Sequence, residues 1–269
     1  AEDGIRDCLL SRGLGDVYKR QLDHIRPKLG INVGALIGHS AIRLFVMGPE
    51  SQAREATQEE ISKMCDIVRE AMRAGALGIS SSYVDIDENG DPVPSRFAGF
   101  DEKVALAQAM GESGRGIWQV VPYFPDMKQQ LDNIRELGDI SLAANVPCSL
   151  QPVLSSPTSP NAEELIEALE KEQARGARVF GQTMPRCFDL NMRLSETSML
   201  LYALPRWKKI MDLPREQRLE QFKSQKSELV NEMKDAKGMS GSIPFLIVCS
   251  VKSYENQRYQ GQYLGSVSK

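Results

Sequence analysis

The chain has 269 residues, of which 41% are hydrophobic and 26% charged, with a formal net charge of −3. That is the composition of an ordinary globular protein, long enough for one large α/β domain or two small ones. The weak net charge sets up no field to draw in nucleic acid or an anionic membrane surface. No apolar run nears the roughly 18–20 residues that span a bilayer.

Five cysteines, Cys8, Cys65, Cys148, Cys187 and Cys249, are scattered and form no CxxC pair. Such spacing suits reduced thiols, and so a cytoplasmic location, better than a disulfide or zinc framework. The only histidines are His24 and His39, a small supply of the commonest metal ligand.

Residues 1–21 lack a sustained period and are broken by glycines, and CLLSRGLGDVYKRQ resembles translated adapter sequence. They are expected to be a non-native or disordered leader, outside the fold. The run Ile31 to Gly48 then begins apolar and breaks at Gly38, presenting His39, Ser40 and Arg43 in quick succession. It reads as a buried parallel strand, starting near residue 33, whose carboxyl end opens into a polar loop. In α/β barrels the chemistry sits at that end. A second polar loop is expected over Met47 to Thr57.

Thr57 with Glu60 forms a capping box for a helix whose apolar stripe runs Ile61, Met64, Cys65, Val68, Ala71 and Met72, with Gly75 as its stop. Cys65 belongs to that stripe. A strand over Ala76–Ser82 leads into a long loop, Tyr83 to Gly99. Asp101 is expected to cap the next helix, and Ile117–Val121 is the next strand. A helix from about Asp126 and a strand over Pro147–Leu154 follow. Asn161 opens another helix, and Ala177–Met184 is a fifth strand. From Leu204 the chain is helical and charged; the six basic and five acidic residues of Arg215–Lys237 nearly cancel, as on a solvated helix face. Gly241–Ser250 returns to an apolar strand pattern.

Strands near residues 33, 76, 117, 148 and 178, separated by helices, describe repeated βαβ units and a parallel sheet. A doubly wound sheet and a barrel both fit. Five strands are too few to close an eight-stranded barrel.

GESGRG at Gly111–Gly116 leads from a helix into a strand, the reverse of a dinucleotide fingerprint. No G-x-S-x-G elbow surrounds Ser80, Ser81 and Ser82, which suit hydrogen bonding at a strand end. Tyr83 and Arg96 flank the loop after this strand, where a guanidinium could meet a substrate carboxylate. His39 is the leading single candidate for a functional side chain.

NVGALIGHSAIRLFVMG, the helix Thr57–Gly75, GALGISSS and PVPSRFAGFDEKVALAQAMGESGRG together resemble the D-aminoacylase branch of the amidohydrolase superfamily, the N-acyl-D-amino-acid deacylases. The terminal SVKSYENQRYQGQYLGSVSK resembles that family's return to a small β domain. The resemblance implies an incomplete (β/α)8 barrel of TIM type over 22–240, with 241–269 as a C-terminal segment of the small domain. It implies a metal-bound water attacking an N-acyl amide, with zinc in the full-length parent and a small-molecule substrate, and neither nucleic acid nor membrane as partner. The family's ligands include histidines on its fifth and sixth strands. Those strands correspond to GIWQVVP and PCSLQPV, which carry Gln119 and Gln151, and a neutral carboxamide is a poor zinc ligand. Cys148 precedes the ligand position and reads as core. The chain is therefore expected to be an inactive fragment of a hydrolase of non-peptide C–N bonds. His39, Arg43, Ser80, Tyr83 and Arg96 are its expected substrate-site residues, and no metal ligand is assigned. The competing expectation is a barrel relative that lost its chemistry and binds a ligand or partner.

Overall fold

The computed structural model describes residues 24, 29–87, 89–123, 126–153, 162–183, 201, 204–236 and 254–262. Five parallel strands lie side by side in chain order: β1 (Ile37–Gly38), β2 (Gly78–Ser82), β3 (Ile117–Val121), β4 (Cys148–Leu150) and β5 (Val179–Gly181). The helices α1 (His39–Met47), α2 (Gln58–Arg73), α3 (Phe100–Gly111), α4 (Met127–Ala144) and α5 (Ala162–Ala174) run between them. A doubly wound sheet reverses its strand order at a switch point. This one never reverses, so crossovers of one hand lay every helix on the same face. Consistent with that, α2, α3, α4 and α5 each pack on the next. The ambiguity between sheet and barrel resolves toward an arc of barrel wall.

Alternation along the strands sorts side chains into two rows. Ile79, Trp118, Val120, Cys148, Leu150 and Val179 are buried against the helices with Met64, Val68, Leu106, Met110, Ile134 and Leu169. The opposite row, in register across all five strands, is Gly38, Ser80, Gln119, Ser149 and Phe180. Phe180 in that row is 50% exposed. Gly78 is needed for the close approach of β2 to β3. Its φ is +146°, and a Cβ there would stand 2.0 Å from the Ile117 carbonyl oxygen.

The capping box forms as its residues require: Thr57 Oγ1 accepts from the Glu60 amide at 3.3 Å, and the Glu60 carboxylate accepts from the Thr57 amide at 2.8 Å. Thr57→Ala is expected to lower stability by about 1 kcal/mol, read as a fall in the urea midpoint at unchanged slope. Asp126 caps α4, accepting from the Gln129 amide at 2.7 Å.

Several boundaries differ from the sequence reading. The first strand begins at Ile37 rather than near residue 33. No polar loop follows β1: the chain enters α1 at His39, because Ala41–Met47 contains no breaker and turns Ile42 and Met47 inward. The first part of the expected loop after it is a 3-10 turn, Gly48–Gln52. Gly99, rather than Asp101, occupies the N-cap of α3, and Asp101 sits in its first turn, where a carboxylate suits the helix dipole.

Helices α6 (Pro205–Met211), α7 (Arg215–Ser224) and α8 (Lys226–Asp235) pack on one another, with Trp207 donating to the Leu229 carbonyl at 3.2 Å. No residue of α7 is buried, as its balanced charges suggest. Among the described residues no helix is long and apolar enough to cross a membrane. The 1–21 leader, the Asn161 cap and the Gly241–Ser250 strand lie outside the described residues. The rest of the C-terminal segment is described only over 254–262, which holds the 3-10 helix Tyr254–Tyr259.

Candidate functional site at the carboxyl ends of the strands

Two groups of polar side chains gather where β1, β2 and β3 end. The first is closed. His39 opens α1 and Arg43 follows one turn later, both 0% exposed, while Glu102 in the first turn of α3 is 2% exposed. One Glu102 oxygen lies 2.7 Å from His39 Nε2, and the other accepts from the Arg43 guanidinium. Arg43 also donates to the carbonyls of Ser51 and Arg54, at 3.2 and 2.8 Å. His39 Nδ1 is 3.0 Å from Ser81 Oγ, and the ring meets Trp118 edge-on at 5.5 Å.

The protonation follows from the partners. A carboxylate only accepts, so Nε2 of His39 carries the proton. Burial pushes the His39 pKa down and keeps the ring neutral, leaving Nδ1 to accept from the Ser81 hydroxyl. Burial alone would raise the Glu102 carboxyl, but the hydrogen bonds from His39 and Arg43 outweigh it and hold the pKa below its ordinary value. The order Ser81–His39–Glu102 imitates a nucleophilic triad. Ser81 faces the helices and is 7% exposed, and the base beside it is weakened, so the network fastens α1 and α3 to β2.

The second group is open. A cavity of about 400 Å³ lies between α3 and α4, with Tyr83 and Tyr123 beside it, just past the ends of β2 and β3. Arg96 and Lys103 line one side. Lys103 pairs with Glu136 at 2.7 Å and caps the Tyr83 ring at 4.3 Å. Among the described residues the buried Tyr83 hydroxyl lies near Glu136 and Trp118 but meets neither in hydrogen-bonding geometry, and burial together with the Glu136 carboxylate pushes its pKa well above the ordinary value. The Arg96 guanidinium stacks over Tyr123 at 5.6 Å and, among the described residues, makes only long contacts, 3.4 and 3.5 Å, to the carbonyls of Val84 and Asp85. From α4 come Gln129, Asp132, Asn133 and Glu136, a stripe at i, i+3, i+4 and i+7.

Of the five residues expected at a substrate site, His39 and Arg43 meet in the closed network and Tyr83 and Arg96 line the open cavity. Ser80 stands in the free row of β2, in neither group. Glu102 and the α4 stripe were not singled out by the sequence. A signal for Glu102 exists: it shares the buried face of α3 with Leu106 and Ala109, and a carboxylate on an apolar stripe demands buried partners.

The fold and this rim define the class as an α/β arc of the barrel type. No family model matches the chain. The "D-aminoacylase" of Alcaligenes xylosoxydans xylosoxydans is 49% identical over 77 residues, which is 27% of this chain and 16% of that protein. An uncharacterised protein of Mycobacterium tuberculosis is 35% identical over 96 residues, 32% of this chain and 16% of its own length. Among solved structures, a D-aminoacylase described as defining a novel subset of amidohydrolases superposes with TM-score 0.53 at 21% identity, over 63% of this chain and 34% of that one. The N-acyl-D-glutamate deacylase of Bordetella bronchiseptica, solved with zinc and a phosphonate inhibitor, gives 0.53 at 23% identity over the same shares. The chain thus resembles the D-aminoacylases in sequence over a stretch and in fold over most of its described residues. It spans about one sixth of the length of the curated relatives it matches.

A structural study of D-aminoacylase describes a binuclear metal centre there. The described residues of this chain do not fit such a centre. The free row offers Ser80, Gln119 and Ser149, neutral groups that are poor zinc ligands. Ser149 already accepts from the Gln182 carboxamide. Cys148 faces the helices, and burial pushes its thiol up to about 12, opposite to what a metal-binding thiolate needs. Among the described residues no group of three or more His, Cys, Asp or Glu is placed to hold a metal ion.

Proposed function

We propose that the whole protein carrying these strands is a hydrolase of C–N bonds other than peptide bonds, of the N-acyl-D-amino-acid deacylase type, with any zinc held by groups outside the described residues. The observation that carries this reading is the 49% identity to a curated D-aminoacylase over 77 residues. In this reading the described chain supplies binding and orientation. Arg96, whose donors make only long contacts, takes the substrate carboxylate through its planar fork. Tyr83 shapes the cavity wall, and Ser80 offers a hydroxyl from the free face. His39 and Arg43 are positioning residues: through Glu102 they hold the start of α3, and with it Lys103, in place.

The test is turnover by the whole protein with zinc supplied. Release of free amino acid from N-acetyl-D-amino acids, at least tenfold faster than from their L forms and abolished by a chelator, is the expected result. Absence of release from any N-acyl amino acid, with binding retained, overturns the proposal in favour of a binding protein.

A further inference from the structure

Among the described residues the Arg96 guanidinium has no carboxylate partner. It lies over Tyr123 and meets the Val84 and Asp85 carbonyls at 3.4 and 3.5 Å, contacts too long to fix so flexible a side chain. What can fix it is the backbone it grows from. Arg96 belongs to the 3-10 helix Pro94–Phe97. Ser95, just before it, is 1% exposed, and its hydroxyl has every hydrogen-bonding position filled. That hydroxyl donates to the Ser82 carbonyl at 2.8 Å and accepts from the Ser40 hydroxyl at 3.0 Å and the Ser82 amide at 3.4 Å. The Ser40 hydroxyl in turn accepts from the Ser95 amide at 3.1 Å. Two bonds therefore clasp the first turn of α1 to this 3-10 helix. Ser82 acts at the other end of the loop. Its hydroxyl accepts from the Val84 and Asp85 amides at 3.3 and 3.0 Å, setting the turn whose carbonyls face Arg96. The ring under Arg96 is held separately, because the Tyr123 amide donates to the Asn133 side chain at 2.9 Å.

We propose that Ser40 and Ser95 are positioning residues for Arg96. Together they fix the 3-10 helix so that the guanidinium is already seated over Tyr123 when a carboxylate arrives, and the ligand is spared the cost of ordering it. The proposal rests on the reading of Arg96 as a carboxylate partner given above, but not on the chain performing hydrolysis. Ser95 borders the cavity, yet its filled hydroxyl has nothing left to offer a ligand. Ser40 acts only through Ser95. Serines that served stability alone would leave the ligand preference of Arg96 unchanged.

The experiment compares the full chain with Ser40→Ala, Ser40→Thr and Arg96→Gln by two readouts. The first is the Arg96 Nε–H signal in ¹⁵N NMR, assigned by its loss in Arg96→Gln and displaced in the parent by the Tyr123 ring. Ser40→Ala is expected to return it to the position of a free arginine, and Ser40→Thr, which keeps the hydroxyl, to hold it. The second is calorimetric binding of N-acetyl-D-alanine against N-acetyl-D-alaninamide. The parent is expected to prefer the acid on the order of tenfold, the scale of one charge-assisted hydrogen bond. Arg96→Gln should abolish that preference. Ser40→Ala should cut it by about threefold, the scale of ordering one side chain, and Ser40→Thr should retain it. Ser40 is half-buried, so its variants should fold, and melting curves verify it. A folded Ser40→Ala with the parent's Arg96 signal, or a Ser40→Thr that behaves like Ser40→Ala, would overturn the assignment. A parent that binds acid and amide equally sinks the reading of Arg96 as carboxylate partner, while the Arg96 signal still decides the positioning.

Discussion

Glu102→Ala is expected to lower the stability of the fold by about 3–5 kcal/mol, the cost of leaving a buried cation without its counter-charge. Arg43 is 0% exposed and loses the one carboxylate it pairs with among the described residues, while His39 loses the acceptor that fixes its tautomer. Chemical denaturation followed by circular dichroism measures it, and a loss under about 1 kcal/mol would mean water reaches Arg43. The double variant Glu102→Leu with Arg43→Met removes both charges and is expected to recover at least half of that loss, since a buried ion pair replaced by apolar groups is often close to neutral. The same network sets a pH dependence. Burial lowers the folded pKa of His39, so below about 6.5 the unfolded chain takes up a proton that the folded one refuses, and stability falls. Glu102 is also held below its ordinary value; its contribution is present above about 4.3 and is lost as pH falls through the folded pKa. Stability is thus expected to decline in two successive steps on acidification, and Glu102→Ala should shrink the lower one, to which Glu60, Asp87 and Glu112 also contribute.

Trp118→Ala is expected to cost about 3–5 kcal/mol, because Trp118 is the largest fully buried side chain among the described residues and its removal opens a cavity between β3 and the helices. Trp118→Phe should behave differently. Among the described residues the indole N–H lies near the Tyr83 hydroxyl but outside hydrogen-bonding geometry, and an unpaired buried donor costs about 1–3 kcal/mol. Exchanging it for a phenyl ring loses volume but relieves that group, so the two effects offset to within about 1.5 kcal/mol. Unfolding followed by far-ultraviolet circular dichroism compares the two variants without relying on tryptophan emission. Equal losses for both would show that the N–H finds a partner in solution.

Much of the fold was legible because local signals agreed with one another. Strands expected near 76, 117, 148 and 178 begin at Gly78, Ile117, Cys148 and Val179, since each apolar run follows a helix stop. The capping box at Thr57 needed only its own four residues. The start of α1 was not legible, because an apolar stretch such as AIRLFVM satisfies a buried strand and a buried helix alike. Arrangement across elements was less legible still. His39 and Glu102 are 63 residues apart, and periodicity cannot say which helix face meets which histidine. The strand order likewise could not be read from spacing, as both parallel architectures share it. The α4 stripe Gln129–Asp132–Asn133–Glu136 could be drawn from the sequence, but the cavity it lines also needs Arg96, which comes from the 3-10 helix Pro94–Phe97 inside what the sequence reads as a loop.

The alternation of the sheet keeps framework and lining in separate residues. Ile79, Trp118 and Cys148 anchor the wall, while Ser80, Gln119 and Ser149, next to them in the chain, form the opposite row of the sheet. Side chains lining one side of the wall can therefore change while the other side holds its shape, so a backbone that superposes on a structure solved with zinc at 23% identity does not by itself fix what that lining holds.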